Sequence, residues 1–149
     1  GCWGYLAESG GRLLYVRRLI GVRSTVVDDD LIRMEHARTL SFDVFEADLT
    51  AGVDSCGGQW RRVRTLRGQA LFVGTHSKFF PASECGAQED CIYFMRDYDR
   101  GNCDPDPLRD SGVFDMRNGM IAPLLPETAV VPARGDDGRP AWFYPADKL

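Results

Sequence analysis

The most constraining feature of this chain is a stretch from Phe42 to Gly74 made of short apolar segments, each closed by a turn signal. Aromatic and β-branched residues mark segments at 42–49 and 59–66, and a third apolar segment follows at 69–74. Such segments, alternating or β-rich and broken by glycine-containing turns, are typical of consecutive antiparallel strands and do not fit a helix. The stretch therefore predicts a β-meander, with Arg67-Gly68 as the turn between its last two strands.

The rest of the chain repeats this pattern of strands and turns. Strands are predicted at residues 3–8, 12–19, 91–95, 112–116 and 120–125, with further extended segments at 21–27 and 79–82. Ser9-Gly10-Gly11 and Asn118-Gly119 are strong hairpin signals, and Pro81 places its segment at a sheet edge or strand end. Because no segment shows a convincing 3.6-residue periodicity, we expect an all-β chain.

The predicted strands fall into two similar sets. Strands near residues 4–7, 14–16, 44–45 and 60–63 align with those near 70–73, 92–94, 113–114 and 121–124. Antiparallel four-stranded units that repeat in this way are typical of β-propeller blades, although a β-sandwich accommodates the same strands. We predict two blade-like units, at about 3–66 and 69–125, and a tail at 126–149. Since propellers have about 4–8 blades, two units make an incomplete propeller.

Composition limits the class of protein. The chain has 149 residues, of which 44% are hydrophobic, which suits one domain with a packed core. A net charge of −4 disfavours a general nucleic-acid or membrane-binding surface, and no apolar run approaches the ~20 residues of a membrane span. Five irregularly spaced cysteines favour a reduced, intracellular protein over a disulfide scaffold. Because the chain begins at Gly1 and not at Met, we expect it to be a piece of a longer protein.

No residue pattern predicts a catalytic, cofactor-binding or metal-binding site. His36 and His76 are the only histidines and lie 40 positions apart, and the cysteines form no Cys-x-x-Cys pair. Cys91 opens an apolar strand and is expected to be buried as a small hydrophobic residue. Within the acidic loop at residues 97–110, the stretch at 97–104 resembles a calcium loop but lacks the required spacing, so we interpret that stretch as a solvated loop.

Two further features have structural interpretations. The basic run Arg61-Arg62-Val63-Arg64 is interpreted as the solvated face of a strand. Trp60 and Trp142 are interpreted as packing anchors, in a core or between blades, with a role in partner binding as the alternative.

Six short motifs then occur in an order found in a known plant family. They are Asp48-Leu49, Trp60 with Val63, residues 71–74, Cys91–Phe94, Gly112–Asp115 and residues 142–145. Together they resemble the C-terminal part of the KIB-type β-propeller domain, which occurs in a large plant family of F-box-associated proteins. The resemblance covers most of the chain, from about Gly4 to Pro145.

The resemblance implies a non-enzymatic protein-interaction module that presents a protein substrate to a Skp1–cullin ubiquitin ligase. In that family a helical F-box often precedes the propeller, and no F-box segment is found in this chain, so a Skp1-type adaptor is expected only through an F-box outside it. No cofactor, nucleic acid or membrane is implied as a partner. A cytoplasmic or nuclear location is expected. The alternatives are a propeller scaffold without an F-box, located in an organelle, and a small stand-alone β-sandwich binding domain.

Overall fold

The computed structural model describes residues 1–22, 37–48, 59–98, 108–125 and 142. Nine strands and one short helix lie within these ranges. They are β1 (Cys2–Ser9), β2 (Arg12–Val22), β3 (Ala37–Asp48), β4 (Gln59–Val63), β5 (Gln69–Phe72), β6 (Lys78–Pro81), α1 (Ala82–Cys85), β7 (Cys91–Phe94), β8 (Gly112–Asp115) and β9 (Ile121–Ala122). The prediction of an all-β chain is confirmed, and residues 23–27 of one predicted segment lie outside the described ranges.

Strands β1 to β4 form the first sheet, in which each strand is antiparallel to the next in the chain. Gly10 and Gly11 have φ angles of 55° and 77° and make the predicted tight turn between β1 and β2. Glycine suits this left-handed conformation because it has no Cβ to clash with the backbone. This sheet is the four-stranded antiparallel unit that the sequence predicts.

The second sheet differs from that simple pattern. Its strand order is β6-β5-β7-β8-β9, so β5, β7, β8 and β9 lie in the order of the aligned strands, but β5 and β7 run parallel. The reason is the extra strand β6, which returns the chain to the end of the sheet where β5 began, so that β7 starts in the same direction as β5. Pro81 ends this edge strand, as expected. The unit boundaries at 3–66 and 69–125 and the tail at 126–149 stay predictions.

The predicted extended segment at 79–82 is wrong at its last residue. Ala82 begins α1, a single helical turn that ends at Gly86 with a φ angle of 69°. One turn is too short to produce a hydrophobic periodicity, which is why the sequence does not reveal it.

The inner faces of the two sheets share one hydrophobic core. Phe42 of β3 packs between Phe94 of β7 and Phe114 of β8, with ring centroids 5.2 and 5.5 Å apart. The other buried members of this core are Tyr5, Ala7, Leu14, Val16, Val44, Leu66, Leu71, Val73 and Ile92. Burial of one large apolar side chain contributes about 1.5–3 kcal/mol, so this shared core holds the two sheets together.

A β-bulge interrupts the pairing of β2 with β3. Leu19 pairs with Ser41 and Ile20 pairs with Thr39, so Leu40 is an extra residue on β3. The bulge shifts the in–out alternation by one position. As a result Thr39 faces the inside of the molecule, as Phe42 does, whereas Leu40 is 50% exposed.

Candidate functional site

The histidines and metal-ligand candidates are not brought together in the described part of the chain. His76 is exposed in the turn that follows β5, and His36 lies outside the described residues. Among the described residues, no three histidine, cysteine or acidic side chains are grouped as a metal site would require.

The described cysteines are all unpaired. Cys91 is fully buried, as predicted, and burial raises the pKa of its thiol. Cys2 and Cys85 are exposed, and Cys56 and Cys103 lie outside the described residues.

A buried arginine is the centre of the largest polar cluster in the described structure. Arg18 of β2 has no exposed surface, and its guanidinium donates to the Thr39 hydroxyl at 2.7 Å and to the Met95 carbonyl at 2.8 Å. It also donates to Asp97 and to Asp110, each at 3.1 Å. We call these side chains, together with Tyr5 and Tyr98, the Arg18 cluster.

The two carboxylates of the Arg18 cluster accept further hydrogen bonds from hydroxyl and backbone N–H groups. Asp110 accepts from the backbone N–H of Thr39 at 2.9 Å, from the Thr39 hydroxyl at 2.7 Å and from the Tyr98 hydroxyl at 2.8 Å. Asp97 accepts from the Tyr5 hydroxyl at 2.8 Å. A buried ion pair is stable only when its remaining hydrogen-bonding groups are satisfied, and this network meets that condition.

The Arg18 cluster corrects one sequence-based interpretation. The stretch at residues 97–104 was expected to be solvated, but the side chain of Asp97, its first residue, is only 10% exposed, and that of Asp110, at the other end of the loop, is 5% exposed. Both carboxylates are buried because they pair with the buried charge of Arg18. Residues 99–107 lie outside the described ranges. A signal for this was present in the sequence, since Arg18 follows Leu14 and Val16 on the inward side of a period-two strand.

Burial shifts the pKa of three side chains of the Arg18 cluster, those of Asp97, Tyr5 and Tyr98. It raises the pKa of the Asp97 carboxyl above the usual aspartate value, and the lowering effect of the adjacent Arg18 is smaller. Burial also raises the pKa of the Tyr5 and Tyr98 hydroxyls, so both remain protonated and donate at neutral pH. Because the cluster is closed to solvent and joins β1, β2 and β3 to the segments flanking β7 and β8, it acts as a structural connection between the sheets.

The outer face of the first sheet presents an exposed aromatic surface. Tyr15 lies next to Phe45 and Trp60, with ring centroids 6.4 and 6.0 Å apart, and Leu6 pairs with Tyr15 across the strands. Leu6 is 63% exposed and Trp60 is 47% exposed. We call Leu6, Tyr15, Phe45 and Trp60 the aromatic face.

Two local features shape the aromatic face. A Cβ atom on Gly4 would lie 2.6 Å from the Tyr15 hydroxyl oxygen, so only glycine lets the tyrosine ring lie across β1. Trp60 pairs with Ala47, which points to the same outer face, so Trp60 is not in the core of the described structure, and its role as a packing anchor between blades stays a prediction. An exposed set of large apolar side chains with a half-exposed tryptophan is typical of a surface that contacts another protein segment.

Strand β4 adds a basic edge beside the aromatic face. Arg61, Arg62, Arg64 and Arg67 are exposed along β4 and the turn that follows it, which confirms the solvated interpretation of the basic run. We call these four residues the basic edge. Arg62 pairs with Asp43 at 2.8 Å, and Arg61 lies 3.5 Å from Glu46.

The corresponding face of the second sheet is covered by a residue from the tail. Trp142 lies edge-on to Phe72, with centroids 5.3 Å apart, and its indole N–H donates to the carbonyl of Val73 at 2.8 Å. Phe72 also stacks on Tyr93 at 4.7 Å. Trp142 is thus a packing anchor, as predicted, which leaves the first sheet with the more open aromatic surface.

Comparison with known proteins gives one match. The sequence profile described as KIB1-4 beta-propeller matches residues 2–115, which include β1 to β8. Neither the search of curated proteins nor that of solved structures finds a match. Within the described residues, no helix combines the length and the apolar character needed to cross a membrane.

Proposed function

Because the chain belongs to the KIB1-4 beta-propeller family, we propose that it acts by recruiting a protein substrate to a Skp1–cullin ubiquitin ligase. Domains of the β-propeller type typically serve as non-catalytic interaction modules, and the family match suggests that role here. The recruiting role within a ligase is the further step of the proposal. An F-box that docks onto a Skp1-type adaptor would be supplied by sequence outside this chain.

The observation that best supports an interaction role is the aromatic face. Four large apolar side chains lie together on a sheet whose opposite face already has a full core, so they add little to the packing within the described structure. Exposed apolar surface in water is unfavourable, and its burial against another protein would gain about 25 cal/mol per Å². Aromatic residues are also the side chains that most often dominate binding energy at protein interfaces.

A protein partner within the cell fits the remaining chemistry better than a nucleic acid, a membrane or a cofactor. The net charge of −4 opposes binding to polyanions as a general function. The unpaired state of Cys2, Cys85 and Cys91 is in keeping with a reducing compartment such as the cytoplasm or nucleus. The proposal therefore assigns no catalytic role to the described residues.

Affinity purification of the full-length protein from its own cells tests the ligase part of the proposal. We expect a Skp1-type adaptor and a cullin to copurify in amounts comparable with the bait. If other proteins copurify reproducibly without the adaptor, the function would instead be that of a scaffold without an F-box. If no protein copurifies, the interaction role itself would be wrong.

A further inference from the structure

Strand β4 is the last strand of the first sheet and, within the described residues, pairs only with β3. Its residues Gln59 to Arg62 are all exposed. In an edge strand, alternate N–H and C=O groups point away from the sheet and can bond to an added strand. The backbone of β4 therefore offers a template for an extended segment of another protein.

Arginines lie on both sides of this template. Arg62 points to the outer face, where it and Arg17 share the carboxylate of Asp43 at 2.8 and 2.6 Å. Arg61 points to the inner side, where it and Arg12 share Glu46 at 3.5 and 3.7 Å. Each carboxylate is thus shared by two guanidiniums, and on the outer face this leaves an excess of about one positive charge. On the inner side Asp48, which pairs with Gln59 of β4, offsets that excess, while the Arg61 side chain is 73% exposed.

Arg64 and Arg67 extend this excess along the basic edge. Both are exposed, although the chain as a whole carries a net charge of −4. An added strand would direct its successive side chains to opposite faces, so acidic residues on either face could lie near Arg61 or Arg62 of β4. The half-exposed Trp60 would add an apolar contact beside these charges.

The same charges determine which strand can be added. Two copies of β4 would bring arginines against arginines, and exposed charge of this kind commonly prevents such edge-to-edge pairing. An acidic strand would gain both the backbone hydrogen bonds and the opposite charges. A nucleic acid could meet the arginines but could not continue the hydrogen-bond ladder of the sheet.

We propose that β4 binds an acidic, extended segment of the recruited protein as an added strand of the first sheet. This inference rests on the proposed interaction function and specifies the chemistry of its partner. The partner segment is expected to carry several aspartate or glutamate residues, with apolar side chains between them that contact Trp60.

A synthetic seven-residue peptide of alternating glutamate and valine, blocked at both ends, serves as the probe for the full-length protein. Binding is measured by the fluorescence anisotropy of a dye on the peptide. We expect binding that weakens with added salt, and an affinity at least about tenfold lower for a peptide with lysine in place of glutamate. Equal binding of the two peptides, or tighter binding of a single-stranded thymidine oligonucleotide, would overturn the proposal.

Protein variants test where the peptide binds. The double substitution Arg61→Glu with Arg64→Glu should lower the affinity by about tenfold or more, because it replaces attraction by repulsion at two exposed positions. Arg117→Glu makes the same kind of change at an exposed arginine of the second sheet and should leave the affinity unchanged. Equal loss in both variants would contradict binding at β4.

Peptide backbone chemistry provides a test that leaves the protein unaltered. Methylation of alternate backbone nitrogens removes the donors along one edge of the peptide only. Of the two alternating patterns, one should abolish binding and the other should preserve it, since only one edge of the peptide faces β4. Equal effects of the two patterns would show that no strand is added to the sheet.

Affinity purification with the charge-reversed variant distinguishes a failure of binding at β4 from a failure of the proposed interaction function. If the proteins that copurify with the unaltered chain are still recovered with the Arg61→Glu, Arg64→Glu variant, the protein is an interaction module that uses another surface. If no protein is recovered in either case, the interaction function has failed as well.

Discussion

At the scale of single residues, Arg18 has the most demanding environment in the described structure. Its charge is fully buried and satisfied by two carboxylates, two hydroxyls and a carbonyl, most of which come from distant parts of the chain. A paired buried charge adds little net stability compared with an apolar side chain, but loss of one partner leaves the others uncompensated. The residues of the Arg18 cluster should therefore be sensitive to single substitutions.

Arg18→Ala should lower the free energy of unfolding by about 3–5 kcal/mol, because Asp97 and Asp110 would remain buried without a cation. Arg17→Ala is the matched control, since Arg17 lies on the opposite, outer face of the same strand and its side chain is 43% exposed. Urea denaturation followed by circular dichroism measures both variants. Equal losses for the two would show that Arg18 is not held as described.

Asp97 should give the protein a dependence of stability on acidic pH. Its pKa in the folded protein is raised from an ordinary value of 3.8, mainly by burial, so the folded state holds its proton more tightly than the unfolded chain does. The stability contributed by Asp97 is then complete below the ordinary pKa and is lost as the pH rises through the raised one.

Asp97→Asn removes this titration while keeping an oxygen that can accept from Tyr5 and Arg18. The free energy of unfolding of the unaltered protein should fall, relative to that of this variant, as the pH rises from about 4. Urea denaturation at a series of pH values measures the difference. A difference that does not vary with pH, or that varies in the opposite direction, would contradict the buried position of Asp97.

At the scale of elements, the second sheet depends on close backbone contact between β8 and β9. A Cβ on Gly112 would lie 2.8 Å from the carbonyl oxygen of Ala122 and 2.9 Å from the Ile121 side chain. Gly74 is different, because its nearest neighbour, Trp142, would be at an ordinary contact distance of 3.6 Å.

Gly112→Ala should therefore destabilise the protein by about 1–3 kcal/mol, a typical cost of overpacking, and should displace β9. Gly74→Ala should have a clearly smaller effect. Thermal denaturation of the two variants provides the comparison. Similar melting temperatures would mean that β9 can move away from β8 at little cost.

The elements also show how much the sequence can predict. The alternation of β1 to β4 and the glycines of their turns are local signals, and these strands were predicted to within a few residues, except that β3 begins at Ala37, five residues before the predicted segment. The parallel pairing of β5 with β7 could not be predicted. It depends on β6 pairing with the outer edge of β5, and the local sequence of a strand does not specify which other strands it pairs with. The bulge at Leu40 could not be predicted for the same reason, since it is defined only by the pairing of β3 with β2.

In the candidate site, too, the sequence could predict some features and not others. The sequence identified Trp60 and the basic run as features, but exposure is a property of the assembled sheet, so the sequence alone could not separate a core position for Trp60 from one between blades or on the surface. Asp97 was placed in a solvated stretch because its partner, Arg18, lies 79 residues earlier in the chain.

At the scale of the whole molecule, the two sheets should unfold as one unit, because Phe42 of the first sheet packs on Phe94 and Phe114 of the second. Phe42→Ala should cost about 3–5 kcal/mol and should reduce the hydrogen-exchange protection of β2 and β7 together. Native-state hydrogen exchange measures the two strands separately. Loss of protection in β2 alone would indicate two independent units.

Two sheets with a shared core, an aromatic face and a basic edge describe a propeller-family domain whose first sheet offers a surface to another protein. We propose that a protein partner contacts that surface, whether or not the partner belongs to a ubiquitin ligase pathway.

Photo-crosslinking in cells that express the full-length protein tests this claim most directly. A benzoylphenylalanine residue would replace Trp60 in one variant and Met120, which is 66% exposed on the second sheet, in the control. We predict a discrete protein adduct from position 60 that is absent from position 120. No adduct from position 60, or the same adducts from both positions, would contradict the claim.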